Sequence, residues 1–169
     1  IVSEQKIKDF PNGILFIWTK NIRKLLAEVS FKIYNKIPKN LVAVTGTNGK
    51  SSVAEFYLQI MQLNKKKVAS IGTLGVKSKN INLNLFNTTT DPINLGQILQ
   101  KLKKEKVDNV IMEASSHGLK QYRLDGLNFK SGIFTNLSQD HLDYHKNLKN
   151  YFKAKPVSYT HLTLPTIVS

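Results

Sequence analysis

The run GTNGKSS, residues 46–52, holds the residue types that bind phosphate. Glycines let a backbone curl so that successive N–H groups point at phosphate oxygens, and a helix that follows adds the positive end of its dipole. In such a loop Lys50 reaches the β- and γ-phosphates and the Ser51 hydroxyl ligates magnesium. The strict eight-residue form of this pattern is not met, because its first glycine would fall at Val44. A solvated turn is the plain alternative, and the strand-then-helix context argues for phosphate.

Glu113 follows the apolar run VDNVIM, residues 107–112, so its carboxylate stands at the C-terminal end of a strand, where open α/β sheets bind ligands. Magnesium takes hard oxygen ligands, and Glu113 and Ser51 are suited to share one ion. A helix-capping or surface glutamate is the alternative. ASSHGL, residues 114–119, together with Gln121 and Arg123, adds two hydroxyls, an imidazole, an amide and a guanidinium beyond the same strand end. An Arg fork beside hydroxyls suits an anionic substrate. The Ser-Ser-His adjacency does not indicate a hydrolase, because triad members meet in space rather than in sequence. In NLSQDHLDYH, residues 136–145, Asp140, His141, Asp143 and His145 fit a metal site, a proton-transfer pair or helix caps.

These groups need elements to hold them. Ile22, Leu25, Leu26, Val29 and Ile33 recur at helical spacing within residues 19–37, and Pro38 ends that segment. LVAVT, residues 41–45, reads as a strand leading into the glycine loop, and residues 53–63 as the helix after it. Residues 68–72 form the next strand, and residues 77–90 an excursion or hairpin. Asp91-Pro92 starts a helix with Ile93, Ile98, Leu99 and Leu102 on one face, ending near Lys106. Residues 107–112 and 132–136 are further strands, and 148–155 a last helix. Strands alternating with helices predict an α/β fold: a mostly parallel sheet of the mononucleotide-binding kind, flanked by helices.

The chain has 169 residues, a formal charge of +14 and no cysteine. That length buries one sizeable core, about 70% of the unfolded surface. Disulfide scaffolds, cysteine-held zinc and thiol nucleophiles are excluded. The longest apolar run, ILFIW at residues 14–18, falls far short of the roughly 20 residues that span a bilayer. A soluble cytoplasmic protein without membrane insertion is expected. Of the 25 cations 23 are lysine, with only Arg23 and Arg123 as arginines, so the basic excess reads as a solvated lysine coat rather than a nucleic-acid surface. The last fourteen residues carry no charge, where the overall 21% charged fraction would put about three. They read as a non-native tail, with an edge strand as the alternative.

Taken together and in order, VTGTNGKSS, NTTTDP, MEASSHGL with Gln121 and Arg123, NLSQDHLDYH and YFKAK resemble the Mur ligase family, most of all its MurE type. The resemblance covers about residues 41–155. It implies an ATP-dependent amide-bond ligase of peptidoglycan synthesis and cell wall biogenesis. That reaction adds a third amino acid, meso-diaminopimelate or L-lysine, to UDP-N-acetylmuramoyl-L-alanyl-D-glutamate through an acyl phosphate. The implied cofactors are ATP and Mg2+. By motif position Gly46, Thr47, Asn48, Gly49, Lys50, Ser51 and Ser52 hold ATP, and Lys50 stabilises the transferring phosphoryl group. Ser51 and Glu113 bind a first magnesium, and Glu113 with His141 a second. Lys155 matches a lysine that carries a carbamate and so becomes an anionic metal ligand. Asn87, Thr88, Thr89, Ser115, Gln121 and Arg123 match contacts to the UDP-muramoyl dipeptide.

The resemblance also divides the chain. Residues 1–38 correspond to the end of a uridine-nucleotide-binding domain plus a linker, 39–155 to the N-terminal part of the central ATPase domain, and 156–169 to the uncharged tail. The amino-acid-selecting domain lies beyond the matched segment, so the fragment by itself is expected to be inactive. The rival readings are another Mur ligase or a folylpolyglutamate-synthase-like ligase, a generic P-loop ATPase, and a lysine-rich nucleic-acid module.

Overall fold

The computed structural model describes residues 1–9 and 11–136. Two short strands, β1 (Val2–Ser3) and β2 (Ile17–Trp18), pair in parallel as a separate ribbon. Helix α1 (Ile22–Ile33) begins where the Asn21 side chain accepts the Lys24 N–H at 2.9 Å. Then come β3 (Asn40–Thr45), α2 (Lys50–Leu63), β4 (Val68–Gly72), β5 (Gly75–Ser78) and β6 (Asn82–Leu83). The order closes with α3 (Pro92–Lys104), β7 (Asn109–Glu113), the short α4 (Ser116–Lys120) and β8 (Ser131–Phe134).

Six strands form one sheet in the order β6-β5-β4-β7-β3-β8. β4, β7, β3 and β8 run parallel, and β5 and β6 extend one edge antiparallel. The expected α/β fold is therefore present. The excursion after β4 is a hairpin that begins at Gly75, two residues earlier than the alternating pattern indicated. The helix expected at 148–155 lies outside the described residues.

Alternation along the strands serves two cores. Leu41 and Ala43 of β3, with Val110 and Met112 of β7, face the side covered by α1 and α3. Val42, Val44 and Ile111 face the other side and pack on Ala54 of α2. Helices thus cover both faces of a sheet buried at its centre, which is why these strands read as nearly continuous apolar runs.

Two helix faces differ from the expectation. In α3 the core residues are Leu95, Leu99 and Leu102, while Ile93 is exposed. Positions 95, 99 and 102 share one helical face, and position 93 lies about 200° around the axis from 95. In α1 the buried residues are Ala27, Ser30 and Phe31, and the stripe of Ile22, Leu26, Val29 and Ile33 is exposed. α1 packs on α3, and Gly96 admits it closely: a β-carbon there would stand 2.5 Å from the Tyr34 ring. Ala27, Ser30 and Phe31 lie on the packed face, with the Tyr34 ring over Gly96, and the stripe of Ile22, Leu26, Val29 and Ile33 turns away from it. Among the described residues no helix is long and apolar enough to cross a membrane.

Candidate functional site

The chain leaves β3 through α2 for β4, two places along the sheet, and leaves β7 for β8 on the opposite side of β3. Connections that diverge this way open a crevice at the C-terminal ends of the strands. A cleft of about 740 Å³ lies there, lined by Thr47 to Ser52, by Thr73, Asn87, Thr88 and Thr89, and by Glu113, Ser115, His117, Gln121 and Arg123.

The glycine loop forms one wall. Gly46 has φ +147°, and a β-carbon on it would stand 1.9 Å from Thr135 Oγ1, so only glycine fits. Gly49 precedes α2 as a residue without a capping side chain, leaving the first N–H groups of a 14-residue helix facing the cleft. Lys50 Nζ donates to the carbonyls of Gly46 at 2.9 Å and Thr47 at 2.8 Å, folded over the loop it serves. The end of β8 braces the loop from outside. Thr47 N–H donates to the Asn136 carbonyl at 2.9 Å, Asn48 N–H to Asn136 Oδ1 at 3.0 Å, and Thr135 Oγ1 to the Asn48 carbonyl at 2.6 Å.

Glu113 is the last residue of β7 and is 3% exposed. Ser51 Oγ donates to its Oε2 at 3.0 Å. A hydroxyl and a carboxylate so placed, beside a loop shaped for phosphates, form a donor set of hard oxygens that fits magnesium held jointly with a nucleotide. Among the described residues no three His, Cys, Asp or Glu side chains gather as a metal cluster. His141 and Lys155, together with Asp140, Asp143 and His145, lie outside the described residues.

The opposite wall is tied to the same strand end. Thr89 Oγ1 donates to the Glu113 carbonyl at 2.8 Å and accepts the Ser115 N–H at 2.9 Å. Ser115 caps α4, accepting the Gly118 N–H at 3.0 Å. Arg123 donates through Nε at 3.0 Å and Nη2 at 2.8 Å to Gln121 Oε1, and through Nη1 to the Thr89 carbonyl. The guanidinium thereby joins the NTTTDP segment to Gln121, just past ASSHGL. Among the described residues Glu113 is the one carboxylate lining the cleft, against the cations Lys50 and Arg123. Anionic ligands suit that balance.

The cleft therefore gathers Lys50, Ser51, Glu113, Asn87, Thr88, Thr89, Ser115, Gln121 and Arg123, while Gly46 shapes the loop from behind. Thr73 and Thr135 were not singled out by sequence. Each stands one residue past a parallel strand, after Gly72 and Phe134, and that position was the available signal.

Residues 44–162 match the Mur ligase middle domain. A UDP-N-acetylmuramoyl-L-alanyl-D-glutamate--2,6-diaminopimelate ligase of Rickettsia bellii is 43% identical over 166 residues, which is 95% of this chain and 34% of that protein. The solved structure of a ligase with the same name superimposes with a TM-score of 0.77 at 30% identity, over 94% of this chain and 32% of that one. Escherichia coli FolC, at 16% identity and a TM-score of 0.62 over 81% of this chain and 38% of that one, shares the fold. The chain spans about a third of the length of the curated relatives it matches. A glycine loop at a helix start, a carboxylate bonded to the serine after it and an arginine-braced wall share one cleft, and with the family match over most of its length the chain belongs to the Mur ligase family.

Proposed function

We propose that the protein to which this chain belongs is a MurE-type ligase. It would use ATP to join an amino acid to the terminal carboxylate of UDP-N-acetylmuramoyl-L-alanyl-D-glutamate in the cytoplasm. The names of the relatives favour 2,6-diaminopimelate over lysine as that amino acid. The observation that carries the reading is the single cleft in which the phosphate loop faces the wall of Thr88, Thr89, Ser115 and Arg123. A plain ATPase has no use for a second wall of hydroxyls and a guanidinium.

In this reading the loop N–H groups and Lys50 hold the ATP phosphates, and Lys50 leaves its two carbonyl partners to meet the γ-phosphate. Arg123 and the hydroxyls of Thr88, Thr89 and Ser115, with the Asn87 amide, hold the dipeptide end of the second substrate. Its carboxylate oxygen then attacks the γ-phosphorus, ADP leaves, and the resulting acyl phosphate is attacked by the amine of the incoming amino acid. Phosphate leaves as the amide forms. Catalysis of the first step is mainly positioning and charge neutralisation. Ser51 and Glu113, with His141 and a carbamylated Lys155, would hold magnesium, which supplies neutralisation of phosphate charge. Residues 39–155 would belong to the ATPase domain and 1–38 to the domain before it, consistent with the separate β1-β2 ribbon.

The test is phosphate release by the full-length protein. Release that requires both the UDP-muramoyl dipeptide and diaminopimelate is expected. ATP turnover indifferent to the dipeptide would overturn the ligase reading in favour of a generic ATPase.

A further inference from the structure

Three protein donors meet the Glu113 carboxylate, and two of them belong to Thr73. The Thr73 backbone N–H donates to Oε1 at 3.0 Å, and its hydroxyl donates to Oε2 at 3.1 Å, beside the Ser51 hydroxyl at 3.0 Å. Gly72 makes this approach possible. A β-carbon there would lie 2.1 Å from Oε1, so a larger residue would push the carboxylate off the end of β4. A carboxylate offers roughly four acceptor sites. Three donors converging from two directions fix its rotamer and still leave acceptor capacity on a group buried to 3% exposure.

The direction of these bonds extends further. The Thr73 hydroxyl has one proton, and Glu113 receives it. The 3.0 Å contact between Thr73 Oγ1 and Thr88 Oγ1 is then donated by Thr88. A polarised chain of hydroxyls runs from the segment holding Asn87, Thr88 and Thr89, through Thr73, to the carboxylate.

We propose that Thr73 is a positioning residue: it holds the Glu113 carboxylate in the orientation that receives a nucleotide-bound divalent cation, through a hydroxyl that Thr88 orients. This inference rests on the ligase reading above and assigns a role to a residue outside the family motifs quoted. Thr73 is exposed, so replacing its hydroxyl removes the bond to Glu113 without opening a cavity in the core.

The experiment is calorimetric titration of the full-length protein with ADP, in the presence and in the absence of magnesium, for the unmodified enzyme, T73V and T73S. Magnesium is expected to tighten ADP binding in the unmodified enzyme. T73V should lose about tenfold of that gain, the lower end for partners that orient metal ligands, because its backbone N–H remains. Its magnesium-free affinity and melting temperature should stay unchanged, and T73S should restore the gain. A full gain kept by T73V, or a loss that T73S does not restore, overturns the inference alone. ADP binding that ignores magnesium in the unmodified enzyme overturns the metal part of the proposed function, and the inference with it.

Discussion

Ser51 and Glu113, 62 positions apart in the chain, meet across a 3.0 Å hydrogen bond. The sheet register brings this about. β3 and β7 are neighbours with Val44 opposite Glu113, so the loop and first turn that follow β3 must lie over the end of β7. Both residues are fixed by backbone that the core cannot let slide, since a one-residue slip would exchange the two faces of β3.

From that geometry, Glu113→Gln should abolish most ligase activity while keeping the side chain's shape. Loss of the charge is expected to lower dipeptide-dependent phosphate release by the full-length protein about 100-fold or more, the scale of several kcal/mol of charge stabilisation. A fall of less than about tenfold in steady-state rates would argue against a metal at this carboxylate.

Lys50→Met should act on the nucleotide. Its ammonium now satisfies two loop carbonyls, and on phosphate it would form charge-assisted bonds worth roughly 1.5–3 kcal/mol. An affinity for ATP lower by at least about tenfold is expected by calorimetry, with the melting temperature little changed. Unaltered ATP affinity would remove Lys50 from the phosphate site.

Arg123→Lys tests the other wall. Lysine cannot span Gln121 Oε1 and the Thr89 carbonyl together as the guanidinium fork does. The Michaelis constant for the UDP-muramoyl dipeptide should rise about tenfold while that for ATP stays within about twofold. Equal changes in both constants would show a general loss of structure instead.

Asp91 provides a pH signature for the fold beneath that wall. Burial pushes its carboxyl up, but hydrogen bonds from the Asn94 backbone and side chain and the Ile93 N–H outweigh that and hold it below the ordinary value. A depressed folded value means the stabilisation is complete above the unfolded carboxylate range, near pH 4, and is lost as pH falls through the lower folded value. Asp91→Ala should cost about 1 kcal/mol at pH 7, the usual worth of an N-cap, or a melting temperature lower by roughly 2–4 °C. The difference from the unmodified protein should shrink in melts near pH 3. A gap that does not change with pH would separate the cap from the carboxylate charge.

Much of this arrangement was legible in the sequence where one signal sufficed. Residues 68–72 read as a strand because a buried parallel strand is an apolar run, and Asp91 as a helix start because an N-cap followed by proline is a local device. The loop carried its own glycines. What stayed illegible depended on pairs. The stripe of Ile22, Leu26, Val29 and Ile33 reads as the packing face of α1, but the fold buries Ala27, Ser30 and Phe31 instead and sets Tyr34 against Gly96 of α3. Thr73 has no motif of its own, and its importance comes from Glu113 lying against the end of β4, three strands earlier in the chain. Thr135 and Asn136 likewise matter only because β8 happens to flank β3.

The bracing of the glycine loop by β8 has a consequence in time. The partner of Asn48 is Asn136, 88 residues later in the chain. At translation rates of roughly 5–20 residues per second, that separation corresponds to on the order of ten seconds between the emergence of the loop and of its brace. During that interval the loop has its glycines and its lysine but not the carbonyl and amide that set its curvature. On the proposed function, nucleotide would stabilise this site most once the segment ending at Asn136 has been made and docked, so bound nucleotide would report completion of the sheet rather than nucleate it.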